Sequence, residues 1–390
     1  MSAALTRGHE RAFWCALPVS LSQCWDGSQM DRRYALRLTG LAVVAALTVV
    51  AGTGCGGSDP DPAPGAGELE DRLVIMGPGG DLGANYQKAF RQFADSSGVR
   101  IQYVEGVTTA NLAKIVGQKA NPQADILLGT METYFAGQAQ GLWAAVDKDV
   151  VTNLNRVPEW ARVPGDAAVT PLLNVPVLFY NKEKYAAAGL APPSDYQDLF
   201  IDEKLRGHVA IPDVDNGYTK AYLAMRSQRL AGSTADPTPA IEELLAKGKD
   251  WFYQFPHTPA QMGQLVASGQ VWIGLDGATR VNDMRKQGMP VEWVVPSELA
   301  GIPLPWSAIK NGPHPNAAQA FLNWAVSPEG QEQLQTNTRI NATTEVPPSA
   351  ELQGQLLTPE DLKKVVKFDE ETMVASSAAW KAAWGKLVGA

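Results

Sequence analysis

The sequence predicts an α/β protein in which helices cover the faces of a parallel sheet. Short apolar strands are predicted at residues 72–76, 99–104 and 124–128, and helices between them at 84–96 and 108–119. This alternating order is typical of parallel sheets, because a helix must carry the chain back before the next strand can run in the same direction. Thr108 or Thr109 is the expected N-cap of the second helix.

The later part of the chain carries further elements of both kinds. Apolar strands are predicted at 175–181, 208–213, 271–275 and 291–295. Helices are predicted from Tyr218 onward and at 315–326, 328–335, 359–366 and 372–387. Ser327 is the expected N-cap of the helix at 328–335, and Trp380 and Trp384 share one face of the last helix. Of the 390 residues, the part from Cys55 onward is long enough for two compact domains.

An uncharged apolar run at residues 38–55 follows three arginines and ends at Cys55. A membrane-spanning helix needs about 20 apolar residues, so this shorter run is typical of the apolar part of a signal peptide. Its Gly-Thr-Gly-Cys end resembles a bacterial lipobox, which implies that Cys55 is lipidated and that residues 1–54 are removed. A short uncleaved membrane anchor and a buried strand are the alternatives.

The segments around this run complete the expected export signal. Met30 begins a compact signal peptide, and we expect the true start there. Two adjacent arginines, Arg32 and Arg33, leave both general and twin-arginine export open. Residues 55–71 are rich in proline and glycine and predict a flexible tether that holds a domain away from a membrane.

Composition and charge exclude several classes of function. The formal net charge is −8, and since residues 1–54 carry a net +2, the remainder carries about −10. An acidic chain of this kind does not favour nucleic acid as a partner. Cys55 is the only cysteine beyond residue 54. The mature chain therefore has no internal disulfide, no catalytic cysteine and no thiolate metal site.

The motifs of common enzymes are missing from the sequence. There is no G-x-S-x-G elbow, no G-x-x-x-x-G-K-[ST] phosphate loop and no H-E-x-x-H metal motif. Three histidines follow Cys55 without the spacing of metal ligands. The glycine-rich loop at 77–83 has Leu82 where a dinucleotide motif needs glycine. We therefore expect no enzyme activity, no cofactor and no bound metal, although backbone N–H groups in such a loop can hold a polar ligand.

Five segments together resemble one known family. They are PQADILLG (122–129), VPVLFYNKEKYAAAGL (175–190), LRGHVAIPD (205–213), SGQVWIGLDGATRVNDMRKQG (268–288) and AIKNGPHPNAAQAFLNWAVSPEGQEQL (308–334). In content and order they are similar to the substrate-binding lipoproteins of ABC importers. The resemblance is to the type II periplasmic binding proteins, in the branch that includes ferric-iron, 2-aminoethylphosphonate and polyamine binders.

The resemblance implies two doubly wound α/β lobes joined by two crossover strands. Lobe 1 would hold 72–174 and 297–335, and lobe 2 would hold 175–292 and 336–390. The chain would cross between them near 172–177 and 291–297. The family implies that a small solute binds in the cleft, that the lobes close over it by a hinge motion, and that the closed form meets an ABC permease and its ATPase. It also implies a monomer on the outer face of the cell membrane.

The expected ligand-binding residues follow from the topology. Ligands of open α/β sheets bind beyond the carboxyl ends of the strands, which selects the loops near 77–83, 105–109, 129–131, 213–219 and 276–280. Trp306 is added as a surface for ring stacking or a cation–π contact, with core packing as its alternative. The full set is Gly79, Gly80, Thr108, Thr109, Thr130, Asp213, Asn216, Gly217, Tyr218, Asp276, Gly277, Thr279, Arg280 and Trp306.

The ligand itself is less constrained by the sequence. Ferric binders of the family carry adjacent tyrosines where this chain has DGATRVNDM (276–284), and polyamine binders carry an acid where it has LPWS (304–307). Asp213, Asp215 and Asp276 suit a cation, and Arg280 suits a carboxylate or phosphonate. We favour a small polar solute with an anionic group, such as an aminoalkylphosphonate; a polyamine and chelated iron stay open. An exported enzyme and a signalling or adhesion lipoprotein are the alternative functions.

Overall fold

The computed structural model describes residues 68–389 of the chain. The predicted signal region 1–54, the lipidation site Cys55 and most of the predicted tether 55–71 lie outside the described residues. Within the described part, no helix is both long enough and apolar enough to cross a membrane.

The strands of the described region, in chain order, are β1 (Arg72–Gly77), β2 (Arg100–Glu105), β3 (Ile126–Leu128), β4 (Val169–Asn174), β5 (Pro176–Asn181), β6 (Val209–Ala210), β7 (Phe252–Gln254), β8 (Ile273–Gly277), β9 (Val291–Val294), β10 (Leu299–Ala300), β11 (Ile302–Ala308), β12 (Asn341–Ala342) and β13 (Val365–Val366). The helices are α1 (Gly80–Ser97), α2 (Thr108–Gly117), α3 (Met131–Ala139), α4 (Lys182–Ala188), α5 (Gly217–Ala231), α6 (Thr238–Leu244), α7 (Pro259–Ala267), α8 (Ala278–Lys286), α9 (Pro315–Ala325), α10 (Pro328–Thr338), α11 (Pro359–Leu362), α12 (Glu370–Ala375) and α13 (Ser377–Leu387).

The larger sheet has six strands in the order β12-β4-β11-β3-β1-β2. β1 pairs in parallel with β2 and β3, as the alternating elements predict. β11 enters between β3 and β4 and is antiparallel to both. The prediction of an α/β fold is therefore confirmed, and the sheet is mixed because β11 returns to it from the other half of the molecule.

The smaller sheet has five strands in the order β7-β6-β8-β5-β9. β6 is parallel to β7 and β8, whereas β5 is antiparallel to β8 and β9. A separate short pair, β10 with β13, is parallel. Both sheets thus combine a parallel part with a returning antiparallel strand.

Alternation along the strands divides the core into layers on both faces of each sheet. In β1, Leu73 and Ile75 pack with α1, α9 and α10, whereas Val74 and Met76 pack with α2 and α3. In β5, Leu178 packs with α5, α6 and α13, and its neighbours in the strand pack with α7 and α8. Successive side chains of a strand point to opposite faces, so each sheet is covered twice. We call the larger sheet with its helices lobe 1 and the smaller sheet with its helices lobe 2.

The chain crosses between the sheets with little connecting sequence. Only Val175 separates β4 in lobe 1 from β5 in lobe 2, and the return runs from β9 through β10 to β11. One segment differs from the expected division, in which residues 336–390 belong to lobe 2. β12 pairs with β4 at the edge of the lobe 1 sheet, and the Asn341 side chain donates to the Leu173 carbonyl at 3.4 Å. The remaining lobe boundaries stay a prediction.

Several element boundaries also differ from the sequence prediction. α1 begins at Gly80, four residues before the expected start. The N-cap of α2 is Val107, without a side-chain cap, so the expected capping by Thr108 or Thr109 is wrong. Ser327 does cap α10, accepting a hydrogen bond from the Gly330 backbone. The expected helix at 359–366 is α11 followed by β13, and the one at 372–387 is divided between α12 and α13.

Trp306 lies in the core of lobe 1. Its side chain is 1% exposed, and its ring stacks on Phe321 at 5.8 Å and meets the edge of Tyr86 at 5.6 Å between ring centroids. A ring enclosed in this way offers no face to a ligand. The expected ligand contact of Trp306 is therefore wrong, and the alternative of core packing is correct.

We predict that Trp306→Ala lowers the free energy of unfolding by about 3–5 kcal/mol, because a large buried side chain is replaced by a cavity. Urea denaturation of the domain measures this loss. Tyr253→Ala is the control, since that side chain is 42% exposed and its removal should change stability by no more than about 0.5 kcal/mol. Equal stability of the two variants would contradict the burial of Trp306.

Candidate functional site

A cavity of about 320 Å³ lies between the two lobes. Lobe 1 lines it with Thr130, Met131, Glu132, Asn174, Ile302 and Leu304. Lobe 2 lines it with Asn216, Gly217, Tyr218, Lys220, Ala221 and Arg280. A third group of lining residues comes from the C-terminal segment, namely Phe368, Glu370 and Met373. Volumes of this size suit small ligands rather than polymers.

The first turns of three helices contribute residues to the cavity wall. Thr130 caps α3 and its hydroxyl accepts from the Thr133 backbone N–H. Asn216 caps α5 through a 2.8 Å hydrogen bond from the Tyr218 N–H to its side-chain oxygen. α8 begins at Ala278 after Gly277 and carries Arg280 in its first turn. Helix N-termini carry partial positive charge and free N–H groups, so their convergence favours a negatively charged group.

The wall beside α8 holds a compact cluster of charged and aromatic groups. The guanidinium carbon of Arg280 lies 5.7 Å from the centre of the Tyr218 ring, and Arg280 Nε lies 3.5 Å from Asp276 Oδ1. Asp276 Oδ1 also accepts a 2.7 Å hydrogen bond from the Gly277 N–H. A side chain at Gly277 would place its Cβ 2.2 Å from Tyr218 ring atoms. Glycine at this position therefore allows Tyr218 to pack against the start of α8.

Burial dominates the acid–base properties of this cluster. Asp276 is fully buried, and loss of hydration raises its pKa to about 6, although Arg280 and the Gly277 N–H act in the opposite direction. Burial also raises the pKa of the Tyr218 hydroxyl, and the nearby Asp276 adds to this rise. The ion pair with Asp276 holds the Arg280 guanidinium in place. A third of the Arg280 side chain stays exposed at the cavity.

An ion pair spans the cavity from one lobe to the other. Lys220 Nζ on α5 lies 3.9 Å from Glu132 Oε1 on α3, and the lysine side chain is largely buried. This contact joins the N-terminal turns of helices that belong to different sheets. Lys220 adds a second cationic group to the cavity wall beside Arg280.

The structure brings together only part of the predicted site. Thr130, Asn216, Gly217, Tyr218 and Arg280 line the cavity, and Asp276 and Gly277 support them from directly behind. The remaining predicted residues do not line it, and they are Gly79, Gly80, Thr108, Thr109, Asp213, Thr279 and Trp306.

Strand order explains why the first four of these residues are misplaced. Gly79, Gly80, Thr108 and Thr109 follow β1 and β2, which lie at the far end of the lobe 1 sheet, whereas the cavity adjoins β4 and β11. Two of the others are engaged elsewhere. The Asp213 carboxylate forms a close pair with the His257 ring, and the Thr279 hydroxyl donates to the Arg339 carbonyl at 3.1 Å.

Comparison with known proteins identifies the family. A sequence model described as "Bacterial extracellular solute-binding protein" matches residues 88–359. The chain belongs to this family. Two curated relatives are similar: an uncharacterized protein of Haemophilus influenzae, 26% identical over 67% of this chain and 76% of its own length, and "Iron uptake protein A1" of Synechocystis, 24% identical over 64% and 69%.

Solved structures agree with the fold of this solute-binding protein. An extracellular solute-binding protein of Bordetella parapertussis matches with a TM-score of 0.71 and 20% identity, over 82% of this chain and 99% of that one. The periplasmic binding protein AfuA of Actinobacillus pleuropneumoniae, with fructose-6-phosphate bound, matches with a TM-score of 0.61 and 20% identity, over 81% and 98%. These structural matches support the expected type II periplasmic-binding-protein fold. Identities of 20% leave the ligand open.

Sequence reasoning missed several residues that line the cavity of this solute-binding protein. Glu132 and Lys220 follow directly after the predicted loops 129–131 and 213–219, so a window one turn longer at each helix N-terminus would have included both. Asn174 ends β4, where the sequence already predicts a crossover. Phe368, Glu370 and Met373 carried no local signal, because only the tertiary path of the C-terminal segment places them there.

We predict that Arg280→Gln raises the pKa of Asp276 above about 6, because the substitution removes the positive charge that lowers it. A carboxyl NMR titration measures the change. The pKa of Asp276 is 3.8 in the unfolded chain and about 6 in the folded protein, so the folded state loses stability as pH rises between these two values. In the variant this loss should continue to higher pH. Lys286→Gln, on the same helix and paired with Asp283, should leave the titration unchanged. An unaltered Asp276 pKa in Arg280→Gln would refute the contact.

Proposed function

We propose that this solute-binding protein captures a small polar solute with an anionic group in the cavity between its lobes. It then delivers the solute to the membrane permease of an ABC importer. The observation that carries the proposal is the convergence of the first turns of three helices, with Arg280 and Lys220, on one cavity between the lobes. Preformed N–H donors and cationic side chains suit phosphate, phosphonate or carboxylate oxygens.

Comparison of charges favours an anionic group over the other two ligand classes. The described residues contain no group of three or more His, Cys, Asp and Glu side chains that would hold a metal ion, and segment 276–284 contains no tyrosine. A polyamine requires acids at several points, whereas Asp276 and Glu132 are already engaged by Arg280 and Lys220, which leaves Glu370 as the unpaired acid on the described cavity wall. The AfuA structure, which has fructose-6-phosphate bound, shows that this fold accepts a phosphorylated solute. Chelated iron is the second candidate, since one relative is named an iron uptake protein.

The cavity geometry supports a closing mechanism. Its walls come from both lobes, so a solute that contacts Arg280 and Thr130 together makes its full set of contacts only when the lobes are close. A ligand with this preference shifts the population towards the closed form. The Lys220–Glu132 pair adds a direct contact between lobes that favours the same state. The permease would then recognise the closed form and release the solute. No catalytic step is required, and the matching family model is described as a solute-binding protein.

We also propose that the mature protein acts as a monomer outside the cytoplasm, anchored to the membrane by lipid on Cys55. The support is the order of basic residues, apolar run, small residues and cysteine within 32–55. Expression in a bacterial host with labelled fatty acid tests the anchor. Label should enter the wild-type protein and should be absent from Cys55→Ala; label in both would refute lipidation at this position.

We predict that Arg280→Ala and Lys220→Ala each weaken binding of an anionic solute by about 10- to 100-fold, because a hydrogen bond to a charged group contributes about 1.5–3 kcal/mol. Thermal shift of residues 56–390 is measured first with 2-aminoethylphosphonate, phosphonoacetate, fructose 6-phosphate, putrescine and ferric citrate, since a ligand of the folded state raises Tm. Calorimetry on the variants follows with each probe that binds.

The matched control is Lys286→Ala, which removes an exposed cation from the same helix as Arg280. Its affinity should equal that of the wild type. Binding of putrescine alone would contradict the anionic class, and unchanged affinity in both cavity variants would show that the solute binds elsewhere.

A further inference from the structure

The C-terminal segment forms a third wall of the cavity, in addition to the two lobes. Phe368, Glu370 and Met373 all line it. These residues lie beyond residue 359, where the match to the family ends. The cavity of this chain therefore includes side chains from a segment that the family sequence model does not match.

Specific contacts hold this segment against lobe 2. Asp369 caps α12 by accepting from the Thr372 N–H at 2.9 Å, and its own carbonyl accepts from the Thr234 hydroxyl at 2.6 Å. Phe368 and Met373 are buried in the lobe 2 core. Val374 packs against hydrophobic clusters of both lobes. The wall is therefore fixed in position and touches lobe 1 as well.

Glu370 is the one acidic residue that this segment contributes to the cavity wall. It is half-buried, and among the described residues its carboxyl group has no hydrogen-bond or ion-pair partner. The other charged groups on the wall are Glu132, Lys220 and Arg280. Lys220 is paired with Glu132, and Arg280 is paired with Asp276. A half-buried carboxylate has lost part of its hydration, and a cationic partner compensates for that loss.

We propose that Glu370 binds the ammonium group of a zwitterionic solute whose anionic group lies at Arg280 and Lys220. This inference rests on the function proposed above and narrows its ligand class. A cavity of about 320 Å³ with cations on lobe 2 and an unpaired acid on the C-terminal wall has complementary charge for both ends of such a molecule. The acid also distinguishes an amine-bearing solute from a plain anion of the same size.

The acid–base state of Glu370 gives the inference a measurable signature. Burial raises its pKa to about 8, while Lys367 lowers it and Asp369 raises it by smaller amounts. At pH 7 the empty site therefore holds a mostly protonated carboxyl group. An ammonium group favours the ionised form and lowers this pKa, so binding releases a proton. Affinity for the amine-bearing solute should rise with pH up to about 8 and then level off.

Calorimetry with two matched pairs of probes tests the inference: 2-aminoethylphosphonate against ethylphosphonate, and 4-aminobutyrate against butyrate. Each pair shares an anionic group and differs in the amine. In wild type, at least one amine-bearing probe should bind at least about tenfold more tightly than its partner. Its binding should also release a proton from the protein, which is measured by calorimetry in buffers of different ionisation enthalpy. Glu370→Gln should abolish both the preference and the proton release while keeping the affinity for the plain anion.

The control variant is Glu371→Gln, which removes an exposed acid from the same helix and should behave as wild type. Equal affinity for both members of each pair, or a preference that survives Glu370→Gln, would overturn the role of Glu370 and leave the anion site intact. If neither pair binds the wild type but fructose 6-phosphate or phosphonoacetate does, this inference fails and the anionic class stands; if none of these anions binds, both fail. Glutamine preserves the shape of the side chain, so an unchanged melting temperature of the empty variant separates lost recognition from lost folding.

Discussion

The cavity depends on the direct passage of strands between the two sheets. Only Val175 lies between β4 and β5, so the two lobes meet at a fixed line and cannot drift apart. β11 then returns beside β4 and brings its own residues to the same line. The first turns of α3, α5 and α8 therefore contribute residues from both lobes to one volume. Any rotation about the crossing changes how closely these groups approach each other.

The electrostatics of the site follow from how each charge is held. Asp276 lies behind Arg280 and fixes it, and Gly277 leaves room for the Tyr218 ring to cover the pair. Lys220 is fixed instead by Glu132 from the opposite lobe. One cation is therefore oriented within lobe 2, and the other is oriented only when the lobes are near each other. The position of the Lys220 charge in the cavity therefore depends on how closely the two lobes approach each other.

The fold was largely predictable from the sequence, and the site only in part. Alternating apolar residues in β1 and β5 define two buried faces, and that pattern is local. The loops that contain Thr130, Asn216 and Arg280 followed from the rule that ligands bind beyond strand ends. The same rule also selected Gly79 and Thr108, which do not line this cavity, because the place of β11 in the sheet decides which loops face it. Strand order is a long-range property that no short stretch of sequence encodes.

The C-terminal wall has a consequence for how function diverges among related proteins. Residues 88–359, the region shared with the matching family sequence model, supply the hinge and the helix N-termini, whereas α12 supplies side chains from beyond that match. If Glu370 selects the amine, a single substitution there would change the preferred nutrient without disturbing either sheet. Two chains with the same residues throughout the shared region would then import different compounds. Assigning a transporter's cargo from likeness within that region alone would overlook the residue that makes the choice.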